Sequence, residues 1–316
     1  MTVVFILMLL LVLGLAAASH YFYTMAIVRR PKTFLADNPD LRDAPASDPV
    51  WLDAQPIEAW DLVSGEGLRL RGYFLPAKRP THRMVLLAHG YSGSGKLHMN
   101  ALAKLYHEEL GYHVLLPDAR GHGDSEGAYI GFGWPDRRDV LLWIGELVRR
   151  FGTEAQIVLH GVSMGGATVL MTGGEKLPPQ VKAIVSDCAY TSVKDVLSYQ
   201  LRRMYKLPPF PFIGMTSLVC KLRSGYSFGE ASALEAVRRT DKPVLFIHGG
   251  ADTFVPTSMV HRLMEACRGY KELFLVPGAG HGMAYTAAPE EYAWRVRQFT
   301  GRFVQEAAAP QTAAHT

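Results

Sequence analysis

The sequence predicts an α/β fold with a mostly parallel central sheet covered by helices on both faces. Short, nearly continuous apolar runs such as MVLLAHG (84–90) and AQIVLHGV (155–162) alternate with helical stretches along most of the chain. Strands that are apolar on both faces are typical of a buried parallel sheet, and their alternation with helices is typical of the α/β class. The 316 residues suit one large α/β domain or two small ones.

The predicted elements follow one another in regular order. Strands are expected at 68–77, 84–90, 112–119, 155–162, 181–188, 242–250 and 271–277. Helices are expected near 97–110, 135–151, 164–176, 256–268 and 289–306. The strand at 68–77 is expected at an edge of the sheet. We therefore predict one folded domain over residues 57–306.

The alternation breaks once, between about 189 and 240, where the chain has helical stretches, the Pro-rich run KLPPFPF and no obvious strand. An insertion above the carboxyl ends of the strands is where a lid would lie. Its apolar residues fit the lining of an acyl pocket and the packed underside of a lid equally well. These residues are Phe210, Phe212, Ile213, Met215 and Leu218.

The N-terminal segment, residues 1–28, contains no Asp, Glu, Lys or Arg and is long enough to cross a bilayer as a helix. A cleaved signal peptide is the alternative: AAAS at 16–19 offers a cleavage site, but no basic residue precedes the apolar run. We favour a membrane anchor, and the flanking Arg29, Arg30 and Lys32 predict a cytosolic domain. We predict a linker over residues 29–56 and a disordered tail over residues 307–316.

Charge and cysteine usage argue against a nucleic-acid-binding protein and against a zinc-binding protein. The net charge is +4, and the basic residues are scattered without a basic stripe interleaved with aromatics, so we expect no nucleic-acid partner. Cys188, Cys220 and Cys267 form no CxxC pair and no zinc-ligand pattern. Reduced, structural thiols are expected, with a bridge between Cys188 and Cys220 as the alternative. No metal or organic cofactor is predicted.

One motif suggests nucleophilic chemistry. Gly161-Val162-Ser163-Met164-Gly165 fits G-x-S-x-G and lies between a predicted strand and a predicted helix. In that setting the small residues allow a sharp turn that exposes the serine hydroxyl. A plain glycine-rich turn remains the alternative for the motif taken alone.

Two residues downstream supply the partners that a serine nucleophile needs. Asp252 and His281 each follow a predicted strand, in the chain order serine, acid, histidine that this architecture uses. Taken singly, Asp252 could cap a helix and His281 could be an ordinary loop histidine. Asp187 is the rival acid and His122 the rival base, although His122 precedes the serine.

The loop after the strand at 84–90 has two interpretations. As part of an oxyanion hole, the backbone N–H of Tyr91 would act together with that of Met164. As a P-loop, GYSGSGK (90–96) would hold a nucleotide, but Leu97 stands where that motif requires Ser or Thr.

Together, LLAHGYSGS, DARGHGDSEG, GVSMGG, HGGADTFVP and GAGHGM give residues 57–305 a clear resemblance to the α/β-hydrolase superfamily. DCAYTS and LRRMYKLPPFPF narrow the resemblance to the bacterial YqkD-type hydrolases, which have an N-terminal apolar segment. The resemblance implies a triad of Ser163, Asp252 and His281 that hydrolyses acyl bonds, and it implies no particular substrate.

We therefore expect a membrane-anchored serine hydrolase that cleaves carboxylic esters or thioesters through an acyl-enzyme on Ser163. Its substrate would be a small acyl ester or a lipid-like molecule. An acyltransferase or a peptidase would use the same residues. A P-loop-like nucleotide binder and a catalytically silent interaction protein are the alternatives from other classes.

Overall fold

The computed structural model describes residues 1–32 and 50–305. Most of the linker expected at 29–56 and all of the tail expected at 307–316 therefore lie outside the described residues.

The centre of the fold is an eight-stranded sheet in the order β1-β2-β4-β3-β5-β6-β7-β8. Its strands are β1 (Glu58–Val63), β2 (Arg69–Leu75), β3 (Arg83–Ala88), β4 (His113–Pro117), β5 (Gln156–Val162), β6 (Val181–Asp187), β7 (Val244–Gly249) and β8 (Lys271–Val276). Six adjacent strands are parallel, namely β4, β3, β5, β6, β7 and β8, while β2 is antiparallel to both of its neighbours. The predicted mostly parallel sheet is confirmed.

The expectation that residues 68–77 form an edge strand is wrong. β1 pairs with β2 from Glu58 opposite Phe74 to Val63 opposite Arg69, so β1 is the edge strand. In β1 only Trp60 is buried. A strand with one buried side chain carries little of the apolar alternation from which strands are predicted.

Helices lie before the sheet, on its faces and in the insertion. They are α1 (Thr2–Ala26), α2 (Val50–Asp53), α3 (Gly95–His98), α4 (Asn100–Lys104), α5 (Asp136–Phe151), α6 (Met164–Gly173), α7 (Val193–Tyr205), α8 (Phe212–Ser224), α9 (Ala233–Val237), α10 (Ser258–Ala266), α11 (Ala284–Ala287) and α12 (Pro289–Gly301). A π-helical turn, Leu105–Glu109, continues α4.

Two apolar cores lie on opposite faces of the sheet, because alternate residues of a strand point to opposite faces. Leu86 of β3 belongs to the core with Trp143 of α5, whereas Val85 belongs to the core with Phe299 of α12. The two cores cover the faces of the sheet and leave the carboxyl ends of the parallel strands free to carry a site.

The insertion between β6 and β7 is helical, and every one of its residues is described. It forms α7, α8 and α9 and contains no strand. We refer to α7 and α8 together, residues 193–224, as the lid.

The N-terminal helix α1 is long and apolar enough to span a membrane. Its first half is exposed, and its second half buries Ser19, Tyr23 and Ala26. The hydroxyl groups of Tyr23 and Ser224 share a hydrogen bond of 3.0 Å. This contact joins α1 to α8, so the end of the apolar helix packs on the lid.

Candidate active site

Ser163 occupies a sharp turn between β5 and α6, with φ 57° and ψ −115°. A Cβ atom at position 161 would lie 2.1 Å from the Gly165 carbonyl oxygen, and one at position 165 would lie 1.9 Å from the Ala88 carbonyl oxygen. Only glycine fits at either position. The two glycines therefore permit a strained backbone that presents the serine side chain above the strand ends, and such strain is concentrated at functional sites.

A chain of hydrogen bonds links Ser163 to His281 and Asp252. The Ser163 Oγ lies 2.8 Å from His281 Nε2, and His281 Nδ1 lies 2.7 Å from Asp252 Oδ2. Asp252 follows β7 and His281 follows β8, so neighbouring parallel strands deliver both side chains to one edge of the sheet. The structure thus brings the three predicted residues together.

The Asp252 carboxylate is buried but well supported. Its Oδ1 accepts hydrogen bonds from the backbone N–H groups of Phe254 (2.9 Å) and Val255 (2.8 Å). Burial alone would raise the pKa of Asp252, but the adjacent His281 and His248 hold it well below its usual range. An ionised Asp252 can fix the tautomer of His281 with the proton on Nδ1 and stabilise its cationic form.

His248 is a contact of Asp252 that the sequence analysis missed. Its Nε2 lies 3.3 Å from Asp252 Oδ2 and 2.9 Å from the Val255 carbonyl oxygen. The available signal was its position at the end of β7, four residues before Asp252. His248 joins the carboxylate to the strand and helps to hold it in place.

Asp187, the rival acid, belongs to a different set of contacts. Its Oδ2 accepts a 3.0 Å hydrogen bond from Tyr292, and the Tyr292 oxygen also lies 3.0 Å from His160 Nε2. Burial raises the pKa of Asp187 to about 6. Asp252 therefore has the direct contact with His281, while Asp187 lies in a buried polar network beneath the site.

His122, the rival base, is also placed elsewhere. Its ring packs edge-on against His89 at 5.0 Å between centroids, and its Nδ1 lies 3.0 Å from the Arg120 carbonyl oxygen. Burial lowers the pKa of His122 to about 3. His122 is therefore a neutral histidine of the loop, and Ser163 has His281 as its partner.

Cys188 lies beside the hydrogen-bonded chain. Its Sγ, a carboxylate oxygen of Asp252 and a ring nitrogen of His281 lie within 4.8 Å of one another. Metal ligation needs the thiolate, and burial raises the pKa of the Cys188 thiol well above its usual range. Because Asp252 and His281 already bind each other, this arrangement favours the hydrogen-bonded chain over a cation site. All three cysteines are free, as expected.

An apolar cavity of about 100 Å³ opens onto Ser163. Its lining comes from α1, from the lid and from the loops around the serine. The residues are Phe22, Met25, Ala26, Tyr91, Phe132, Ser163, Met164, Tyr190, Val196, Leu197, Gln200, Leu201, Met204, Tyr205, Ile213, Thr216, Phe228, Phe254 and Val255. Its apolar walls, with a few polar groups beside the serine, are those of a small-molecule pocket.

The two expected oxyanion donors border this cavity. Met164 is the first residue of α6, and the first N–H groups of a helix have no acceptor within the helix. Tyr91 follows Gly90, where an added Cβ would lie 3.5 Å from the Ser163 Cβ. The backbone at Gly90 and the start of α6 therefore both lie next to Ser163.

The family of the chain follows from a comparison with known proteins. The model of the alpha/beta hydrolase family matches residues 85–296, which carry Ser163, Asp252 and His281. The chain belongs to this family. Membership supports a hydrolytic activity for this α/β hydrolase.

Two curated relatives and one solved structure show how far the likeness extends. The Bacillus subtilis uncharacterized protein YqkD is 31% identical over 245 residues, covering 76% of this chain and 78% of YqkD. The zebrafish lysophosphatidylserine lipase ABHD12 is 29% identical over 199 residues, covering 61% of this chain and 49% of that protein. The Pyrococcus furiosus esterase Pf2001 superposes with a TM-score of 0.68 at 22% identity, covering 88% of this chain and 98% of its own. At 22% identity, the match to the Pyrococcus furiosus esterase shows the fold alone.

The loop at 90–96 of this α/β hydrolase does not form a phosphate cradle. Gly93 N–H donates to the Gly90 carbonyl at 3.1 Å, and Gly95 N–H donates to Asp118 Oδ1 at 2.7 Å. Lys96 forms an ion pair of 3.1 Å with Asp53. Because these backbone donors and the lysine have partners within the protein, the arrangement does not support the P-loop alternative.

Proposed function

We propose that this α/β hydrolase is a membrane-anchored serine hydrolase that cleaves carboxylic ester or thioester bonds through an acyl-enzyme. The observation that carries the proposal is the hydrogen-bonded chain from Ser163 through His281 to Asp252, with Ser163 opening into an apolar cavity. A nucleophile, a base and a group that orients the base are the components that acyl transfer requires.

In the proposed reaction, His281 Nε2 removes the proton of Ser163 as Oγ attacks the substrate carbonyl carbon. The N–H groups of Met164 and Tyr91 stabilise the oxyanion. His281 then gives its proton to the leaving alcohol or thiol, and the acyl group remains on Ser163. In the second half, His281 activates a water molecule that releases the acid, while Asp252 stabilises the imidazolium in both halves.

The apolar cavity favours an acyl group over a polar substrate group. The name of the zebrafish relative describes a lipase acting on lysophosphatidylserine, so a lipid ester is one candidate substrate. An acyltransferase or peptidase would use the same three residues. Analysing products with and without an added alcohol acceptor separates transfer from hydrolysis.

We further propose that α1 anchors the enzyme and that the domain faces the cytosol, because Arg29 and Arg30 lie within four residues of the end of the helix. Protease accessibility in intact cells tests the side. If the domain resists protease added to intact cells and is digested only after the membrane is permeabilised, the cytosolic location is supported. Digestion in intact cells contradicts it. The mass of the purified protein tests cleavage of α1 near residues 16–19.

A fluorophosphonate probe tests the proposed function, since it reacts with an activated serine. Full-length wild type should be labelled, and Ser163→Ala should not. Ser186→Ala is a matched control, because the buried Ser186 hydroxyl donates a 3.2 Å hydrogen bond to the Gly166 carbonyl oxygen and is not part of the chain from Ser163 to Asp252. This variant should label like wild type. An unlabelled but folded wild type would indicate a catalytically silent protein and overturn the proposal.

Thermal stability with and without ATP tests the nucleotide-binding alternative. Stabilisation by ATP that is lost in Lys96→Ala would support nucleotide binding.

A further inference from the structure

The apolar helix α1 contributes directly to the cavity at Ser163. Phe22, Met25 and Ala26 all line it. The Phe22 ring packs edge-on against Tyr205 of α7, with 5.3 Å between ring centroids, and against Phe212 of α8, with 6.1 Å. The last two turns of α1 and the lid therefore enclose the cavity together.

Several polar contacts fix α1 in this position. The ammonium group of Lys32 donates to the carbonyl oxygens of Met25 (2.8 Å), Ala26 (3.2 Å) and Val28 (2.9 Å). The Tyr91 hydroxyl donates to the Ala26 carbonyl at 2.7 Å. Since a helix leaves its last carbonyl groups without partners inside the helix, these donors make its end a structured part of the domain.

The length of α1 determines how close the lid lies to a membrane. Its 25 residues extend about 37 Å at about 1.5 Å per residue, and the hydrocarbon layer needs about 20 residues. Residues 2–14 are exposed and extend only about 20 Å. Spanning the layer therefore requires residues beyond 14 to enter it as well, including Ser19, which is buried in the domain.

The surface of the lid agrees with this placement. Beyond α1, nine large apolar residues of the described chain are exposed, and four of them lie in residues 193–224. They are Met204, Phe210, Leu218 and Leu222, with 36%, 87%, 52% and 77% of their surface exposed. Exposed apolar side chains on helices that pack against a membrane helix are expected to contact lipid.

We propose that α1 is a wall of the acyl pocket and that the substrate is an ester of a long acyl chain, which enters the pocket from the bilayer. This inference rests on the proposed function. The ester groups of membrane lipids lie at the boundary between chains and head groups, which is the depth of Phe22 to Ala26 if residues 2–21 cross the hydrocarbon layer. A lipid chain can then pass between α1 and α7 while its ester meets Ser163. Phe22 and Met25 would determine the chain length accepted.

The test compares two esters on the full-length protein in phospholipid vesicles, p-nitrophenyl dodecanoate and p-nitrophenyl butyrate. Met25→Trp fills the pocket from α1 and should lower the dodecanoate to butyrate ratio of kcat/KM about tenfold. Met25→Ala widens the pocket and should raise the preference for still longer chains. Leu10→Trp is the matched control on the exposed half of α1, where Leu10 is 59% exposed, and should leave the ratio unchanged. Equal changes for both esters in Met25→Trp, or an equal shift in Leu10→Trp, would overturn the proposal.

A second measurement is independent of catalysis, so that failure of the proposed function can be told apart from failure of this inference. Ser163→Ala is reconstituted in vesicles that contain a fatty acid with a diazirine at the chain end, and the crosslinked peptides are mapped after illumination. We expect crosslinks in residues 22–26 and in α7, and their loss in Ser163→Ala with Met25→Trp. Crosslinks confined to residues 2–14 would overturn the inference even if the fluorophosphonate labels Ser163.

Discussion

The hydroxyl of Tyr91 donates a 2.7 Å hydrogen bond to the carbonyl oxygen of Ala26, the last residue of the apolar helix. The backbone N–H of the same tyrosine is the proposed oxyanion donor. One residue thus connects the end of the apolar helix to the loop beside Ser163. The N-terminal helix and the site are parts of one packed unit.

Removing that hydroxyl should weaken the unit. Tyr91→Phe leaves the Ala26 carbonyl with one donor fewer, and we expect a loss of about 1 kcal/mol in the free energy of unfolding. Chemical denaturation in detergent measures it. Tyr199→Phe is the matched control, because its hydroxyl donates to the Thr253 carbonyl at an exposed position and should cost less than about 0.5 kcal/mol. Equal losses would contradict a special role for the Tyr91 contact.

Replacing the acid should separate Asp252 from Asp187. In Asp252→Asn the amide cannot stabilise a protonated His281, so kcat should fall about 10⁴-fold. Asp187→Asn keeps an acceptor for Tyr292 and should reduce kcat less than about tenfold. Steady-state kinetics with a short ester measures both variants. Full activity in Asp252→Asn would show that Asp252 is not the acid that supports His281.

The pH dependence of stability should report the buried Asp187. Its pKa is about 6 in the folded protein and near 3.9 when unfolded. Between those values the unfolded state loses its proton first, so this group lowers stability as pH rises from about 4 to 6. Asp187→Asn removes the effect. Its stability relative to wild type should therefore be greater at pH 7 than at pH 4 by up to about 3 kcal/mol.

Denaturation of both proteins at the two pH values tests this linkage. Asp61→Asn is a suitable control, because Asp61 is an exposed partner of Arg71 and its substitution should not reproduce the gain at pH 7. An Asp187→Asn stability difference that does not change with pH would mean that Asp187 stays ionised.

The turn at Ser163 should tolerate no side chain at position 165. Gly165→Ala places a Cβ atom 1.9 Å from the Ala88 carbonyl oxygen, and we expect a loss of more than about 3 kcal/mol or failure to fold. Gly145→Ala in α5 is the matched control. Apart from its chain neighbours and the nearby backbone of its own helix, no atom lies within 4 Å of the added Cβ, so the substitution should stabilise the helix by up to about 1 kcal/mol. Near-native stability of Gly165→Ala would contradict the close approach of the two backbones.

The correct and incorrect expectations from the sequence have physical causes. The strands β3 to β8 are largely apolar on both faces, so their positions could be read from composition alone. β1 escaped notice because Trp60 is its only buried side chain. His248 escaped because a histidine at a strand end shows its contact with Asp252 only when the loop after β7 has folded back.

The sequence by itself determined the order of Ser163, Asp252 and His281 and their positions after β5, β7 and β8. Because the carboxyl ends of parallel strands meet at one edge of a sheet, that order already predicted that the three residues would meet. Only the tertiary structure decided that Asp252, rather than Asp187, contacts His281, and that α1 closes the cavity. Both depend on contacts between residues far apart in the chain, and periodicity reports which face of an element is buried without reporting what covers it.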